Sequence, residues 1–176
     1  GANAEPIIPA PAGCQIAPRW RQAAPMNSQI IEAGIAHAEV LATLHGDCFD
    51  SAWDRQAIID ILAMPGVCAL IISTDHQPQG FALFRLAADE TEIISIGVSP
   101  KGRREGQAGR LLRAIIDQAS RQGAEKIFLE VGEDNVAARG LYEKSSFTLV
   151  GRRKGYYNHG AKKTDALIYS LEITAK

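Results

Sequence analysis

The run from Thr91 to Val131, TEIISIGVSPKGRREGQAGRLLRAIIDQASRQGAEKIFLEV, constrains the fold more than any other part of the chain. It opens with a β-rich segment, breaks at Pro100, and passes through Lys101, Arg103, Arg104 and the glycines at 102, 106 and 109. Leu111, Leu112, Ile115, Ile116 and Ala119 then mark the apolar stripe of a helix that ends near Gly123. KIFLEV follows as a buried strand. Two strands joined through a helical crossover must lie parallel, because a tight turn can join only antiparallel neighbours. A chain built around such a unit is α/β.

The flanking sequence predicts the remaining elements. SQIIEAG reads as a short strand and IAHAEVLATLHGDCF as a helix, with Leu41, Leu44 and Cys48 at helical spacing. In DSAWDRQAIIDILAMPG, Ser51 with Asp54 three residues on gives a capping-box pattern ahead of Ile58, Ile61 and Leu62, and Pro65-Gly66 stops the helix. VCALIIS, QGFALFRLA and TEIISIGVS predict an antiparallel meander. Asp134 and Asn135 can cap a helix running through Tyr142 to Ser145, and FTLVGRR and DALIYSLEI form a closing pair of strands. The expectation is one domain over residues 26–176: a mixed, mostly antiparallel, twisted sheet of about seven strands with a central parallel pair, and four helices. Residues 1–25, with Pro6, Pro9, Pro11, Pro18 and Pro25 among many alanines and no period, read as an arm or an extension ahead of a start at Met26.

Several function classes fall away on composition. The 176 residues are 46% hydrophobic with a net charge of -1, which allows one real core and gives no global electrostatic case for nucleic acid or membrane. Neither is expected as a direct partner. Cys14, Cys48 and Cys68 are odd in number and form no CxxC pair, which argues against a disulfide framework and for a reducing, cytoplasmic setting. His37, His45, His76 and His159 lack metal-ligand spacing, so no metal is expected. No Gly-x-Ser-x-Gly and no cysteine with a positioned histidine supports covalent catalysis.

The loop before the central helix suits an anion. Unpaired N–H groups and about half a positive charge gather at a helix N-terminus, and Arg103-Arg104-Glu105-Gly106-Gln107-Ala108 puts basic side chains just before one. The spacing is neither GxxxxGK[ST] nor GxGxxG, which excludes the two common nucleotide loops. RREGQA does match the [Gln/Arg]-x-x-Gly-x-[Gly/Ala] loop of the GNAT superfamily of acetyl-CoA-dependent N-acetyltransferases, and the chain resembles that family from Met26 to Ile173. Its second half is similar to the RimI-like ribosomal-protein-alanine acetyltransferases, through LEVGEDNVAARGLYEKSSF and the tail GRRKGYYNHGAKKTDALIYSLEI. Two positions depart from the family pattern: Ser146 precedes Phe147 where glycine is usual, and Gln107 is more polar than the usual apolar residue.

The resemblance implies a set of roles. Acetyl-CoA would be the cosubstrate, its pyrophosphate held at Arg103, Arg104, Glu105, Gly106, Gln107, Ala108 and Gly109. Its pantetheine would pair with the backbone of Ile96, Gly97 and Val98 like an added strand, with Gly97 either at a bulge or in ordinary strand and an N–H near Val98 polarising the thioester carbonyl. Glu130 would accept the amine proton directly or through water, although the residue alone also reads as a charge on a solvent-facing strand position. Tyr142 would be the general acid, against a plain role as a core aromatic; Asn135 would both cap its helix and reach the coenzyme. Tyr156 and Tyr157 in the tail loop would line a peptide channel, while Arg152, Arg153, Lys154, Lys162 and Lys163 read as solvated surface. The implied acceptor is the N-terminal alanine of a ribosomal or other protein, attacked directly in a ternary complex by a monomeric or weakly dimeric enzyme. A small-amine acetyltransferase and a non-catalytic acyl-CoA-binding module are the alternatives.

Overall fold

The computed structural model describes residues 27–159 and 162–173, so the arm over residues 1–25 lies outside the described residues. The elements run β1 (Ser28–Ala33), α1 (Ala38–Cys48), α2 (Arg55–Leu62), β2 (Val67–Thr74), β3 (Gln77–Ala87), β4 (Glu90–Val98), α3 (Gln107–Arg121), β5 (Lys126–Gly132), α4 (Val136–Lys144), β6 (Thr148–His159) and β7 (Lys162–Glu172). One seven-stranded sheet has the order β1-β2-β3-β4-β5-β7-β6. Every neighbouring pair is antiparallel except β4 and β5, the parallel pair that the α3 crossover requires.

The sheet is covered on both faces. β2 is buried from Val67 to Ser73, as a strand between two apolar layers must be. Its side chains alternate: Cys68, Leu70 and Ile72 join the core beneath α3, whereas Ala69 and Ile71 join the core beneath α1 and α2. Leu111, Leu112, Ala114, Ile115 and Ala119 fix α3 on the first face, and Leu41, Leu44 and Ile58 fix α1 and α2 on the second. Ile116 of the expected stripe is half-buried at the edge of that contact.

Local structure corrects one sequence reading, the Ser51 cap, and decides others. Asp54, not Ser51, caps α2, its Oδ1 accepting from Ala57 N at 2.8 Å; at α4 the cap is Asn135. The bulge lies not at Gly97 but earlier in β4. Leu83 pairs with Ser95 and Phe84 with Ile93, so Ile94 is the extra residue, while Gly97 sits in regular register with Phe81. Gly97 is glycine for space, since a Cβ there would lie 2.8 Å from Cys48 Sγ and 3.0 Å from Phe81 Cε1. Ser146 adopts φ of 68°, a left-handed conformation that glycine reaches at less cost than serine.

Because α3 docks through fully buried side chains, Ile115→Ala should cost about 2 to 5 kcal/mol. Urea unfolding should show a lower midpoint at an unchanged slope.

Candidate active site

The site begins where the parallel pair ends. β4 and β5 pair from Glu90 with Lys126 to Ile93 with Leu129 and no further. The bulge at Ile94 turns β4 away, so among the described residues its backbone from Ile94 to Val98 has no partner strand on that side. A cleft of about 580 Å³ opens in the gap. Ile93–Ile96 and Leu129–Gly132 form its floor, α4 and its N-cap contribute Ala138, Tyr142 and Asn135, the end of α1 and the following loop contribute His45, Cys48, Phe49 and Trp53, and β6 contributes Tyr156 and Tyr157.

The basic loop closes over the start of α3. Arg103 Nε donates to the Val98 carbonyl at 3.1 Å, tying the loop to the end of β4. Arg104 and Gly106 both take positive φ, 67° and 76°, and Gly106 is the N-cap with no side chain to satisfy the first-turn N–H groups. Those groups at Gln107, Ala108 and Gly109 are therefore available to an anion, and the space beside Gly106 is open. The Gln107 side chain does not share this role. It is buried, with Nε2 donating to Thr74 Oγ1 at 3.1 Å and to Gln79 Oε1, so it anchors the loop from beneath and offers a ligand only its main chain. Glu105 adds a longer contact of 3.4 Å to the same amide.

Glu130 and Tyr142 reach the cleft from β5 and α4. Glu130 alternates with the buried Leu129 and Val131 and so points away from α3; in place of an apolar enclosure it has Arg153, Nη2 to Oε1 at 3.2 Å. Tyr142 is 4% exposed and packs on Phe147 and Tyr169. Burial, with a smaller contribution from Tyr157, pushes its phenol up to about 12, which keeps it protonated at any working pH. Asn135 Oδ1 is committed to Ala138 N at 3.1 Å, so its cap role is realised and its amide group remains for another partner.

The tyrosine pair lies within β6 rather than in a loop. Neighbouring residues of a strand normally face opposite sides, but here the register jumps between Arg153 opposite Ala166 and Tyr157 opposite Thr164. Gly155 at φ of 59° makes the jump possible, and its N–H donates to Asp165 Oδ1 at 2.8 Å. Arg152 spans Asp165 and Glu133 at 2.9 and 2.8 Å; the Gly155 N–H and Arg152 together hold the Asp165 carboxyl below its ordinary value. Both rings then line the cleft, edge to face with centroids 5.2 Å apart. Burial, then Glu130, then Tyr156 raise the Tyr157 phenol. Arg152 and Arg153 are exposed, as expected of solvated surface, and are engaged in ion pairs as well; Arg153 also lies over the Tyr156 ring at 5.4 Å.

His45, weighed in the sequence only as a metal ligand and given no other role there, holds one wall. Its Nδ1 accepts from Trp53 N–H at 3.1 Å, and its ring stacks on Trp53 at 4.4 Å and tilts against Phe49 at 4.6 Å. No periodicity announces a contact across the α1–α2 loop; the only hint was a histidine amid aromatic residues. Burial lowers its pKa from the ordinary 6.5. The unfolded chain therefore takes up the proton first as pH falls. Stability that depends on neutral His45 is complete above about 6.5 and lost as pH drops through the lower folded value. Melting temperature should fall between pH 7.5 and 5.5 more steeply in the wild type than in His45→Asn, as measured by circular dichroism.

Comparison with known proteins agrees with this geometry. The sequence model of the Acetyltransferase (GNAT) family matches residues 38–147, which include α1 to α4 and the whole of the basic loop. The chain belongs to the GNAT family of acetyltransferases. It is an acyltransferase whose cosubstrate is acetyl-CoA, and the uncapped start of α3 and the gap beside β4 fit that molecule's anionic and extended parts. The [ribosomal protein bS18]-alanine N-acetyltransferase of Salmonella typhimurium is 32% identical over 105 residues, 60% of this chain and 71% of that one. Its Escherichia coli K12 counterpart is 34% identical over 94 residues, 53% and 64% of the two chains. Among solved structures, the ribosomal-protein-S18-alanine N-acetyltransferase from Escherichia coli aligns with a TM-score of 0.79 at 23% identity, covering 84% of this chain and 94% of the other. Arabidopsis thaliana NAA60 in complex with acetyl-CoA aligns at 0.73 and 18%, covering 83% and 98%. At these identities the structural matches speak for the fold alone.

Proposed function

We propose that this enzyme acetylates the N-terminal α-amine of a protein, with an alanine-starting ribosomal protein as the preferred acceptor and the cytoplasm as its place of action. One observation carries the reading: Glu130, Tyr142 and the Tyr156–Tyr157 pair line a single cleft at the gap between β4 and β5. The relatives named for acting on the alanine of ribosomal protein bS18 support the choice of acceptor.

In this scheme Glu130 takes a proton from the incoming ammonium, directly or through one water, leaving a neutral nucleophile. A main-chain N–H of the unpaired stretch of β4 donates to the thioester carbonyl oxygen as it gains charge. Tyr142, protonated because its phenol is buried, gives its proton to the departing sulfur. Tyr156 and Tyr157 form the channel wall along which the peptide enters. The basic loop, through Arg103, Arg104 and the N–H groups of Gln107 to Gly109, holds the coenzyme, with Asn135 and the backbone of Ile96 to Val98 along its path.

The scheme is tested by thiol release and mass spectrometry with alanine-, serine- and methionine-starting peptides, an intact ribosomal protein, lysine-only peptides and polyamines. Acetylation should fall on the α-amine of alanine-starting acceptors. Transfer to polyamines alone would replace the acceptor assignment. Glu130→Gln should lower kcat about 10² to 10⁴-fold, and turnover that survives it would remove Glu130 as the base. Tyr142→Phe should lower kcat by about 10²-fold with little change in the KM for acetyl-CoA.

A further inference from the structure

Glu130 stands between two cavities. One is the cleft of about 580 Å³; the other, of about 360 Å³, lies on the face of β3, β4 and β5 turned away from α3 and is lined by Arg85, Glu90, Glu92, Phe128 and Arg153. Arg153 reaches the carboxylate from the second side, at 3.2 Å, with its side chain 55% exposed against 28% for Glu130. Arg85, the other cation there, has its Nε on the Pro65 carbonyl at 3.3 Å. The carboxylate thus has a resident cation before any acceptor arrives.

That cation competes with the substrate. A peptide α-amine has a pKa of about 7.7 to 8.0 and enters mostly as an ammonium at neutral pH, carrying the same charge as the guanidinium and seeking the same oxygens. We infer that Arg153 is the resting counter-ion of Glu130, a positioning residue that the acceptor ammonium displaces and that returns when the amide leaves; the inference rests on Glu130 being the base. The guanidinium has a place to go: it already lies 5.4 Å from the Tyr156 ring centre, and the second cavity gives it room.

The exchange closes the proton balance. Two protons leave the acceptor nitrogen. The first passes to Glu130, and the neutral carboxyl then has no hold on Arg153. The second leaves as the C–N bond forms and the C–S bond breaks, and it replaces the proton that Tyr142 gives to sulfur. Glu130 passes the first proton to solvent, and Arg153 returns to the carboxylate. Ammonium and thioester have become amide, thiol and one released proton.

The test is calorimetric titration of a short alanine-starting peptide into enzyme saturated with CoA, for wild type, Arg153→Gln, Arg153→Lys, Glu130→Gln and the double variant. Arg153→Gln should bind the peptide about two to five times more tightly, the scale of a half-exposed ion pair, and Arg153→Lys should return to wild type. In turnover the acceptor KM should fall by the same factor with no rise in kcat. The gain should vanish when Glu130 is already glutamine. Equal or weaker binding by Arg153→Gln, or a gain that persists without the Glu130 carboxylate, would overturn the exchange. Full turnover by Glu130→Gln would instead remove the base, and tighter binding in Arg153→Gln would then still report competition at the carboxylate.

Discussion

Everything at the site depends on a hydrogen-bond ladder that stops early. A parallel pair held over its full length would present a closed sheet with no place for an extended ligand. Here the ladder ends at Ile93 and Leu129 because one extra residue at Ile94 turns β4 aside. The lost pairings leave backbone donors and acceptors in want of partners, and an amide-bearing chain such as pantetheine can supply them. Two apolar layers, one under α3 and one under α1 and α2, keep the sheet rigid on either side of the gap.

Charge is arranged around that gap with little excess. The net charge of -1 concealed a division of labour: Arg103 and Arg104 stand at the start of α3, while Arg152 and Arg153 are matched against Asp165, Glu133 and Glu130 on the opposite side. The first group has its N–H neighbours uncapped, ready for an anion. The second is paired within the protein, Arg152 tying β6 to Asp165 and Glu133 and Arg153 resting on Glu130.

Sequence alone revealed what is local. The crossover at Pro100 to Gly123 carried its own signals, a proline break, glycines and a helical stripe, and the parallel pair followed by topology. The Asn135 cap was equally readable because donor and acceptor are three residues apart. What escaped was non-local. Nothing between Arg153 and Glu130, or between His45 and Trp53, repeats with a period, since each contact joins elements whose approach depends on the finished sheet. Gly97 stayed open between a bulge and ordinary strand for a related reason: a glycine in a strand signals either a bulge or crowding, and only the nearby Cys48 and Phe81 decide for crowding. Gln107 looked like a ligand contact by its place in the loop, yet Thr74 and Gln79 lie beneath it, from a hairpin distant in sequence.

Among the described residues β6 is the last strand of the sheet, with one edge unpaired and with Leu149 and Val150 exposed at 53% and 57%. An even edge of that kind is a template on which another chain can add a strand. The register of β6 shifts twice, at Leu149 to Gly151 and again at Arg153 to Tyr157, so no straight run of donors and acceptors is offered. The same irregularity that brings two adjacent tyrosines to one wall therefore also discourages the molecule from growing into a fibre at this margin.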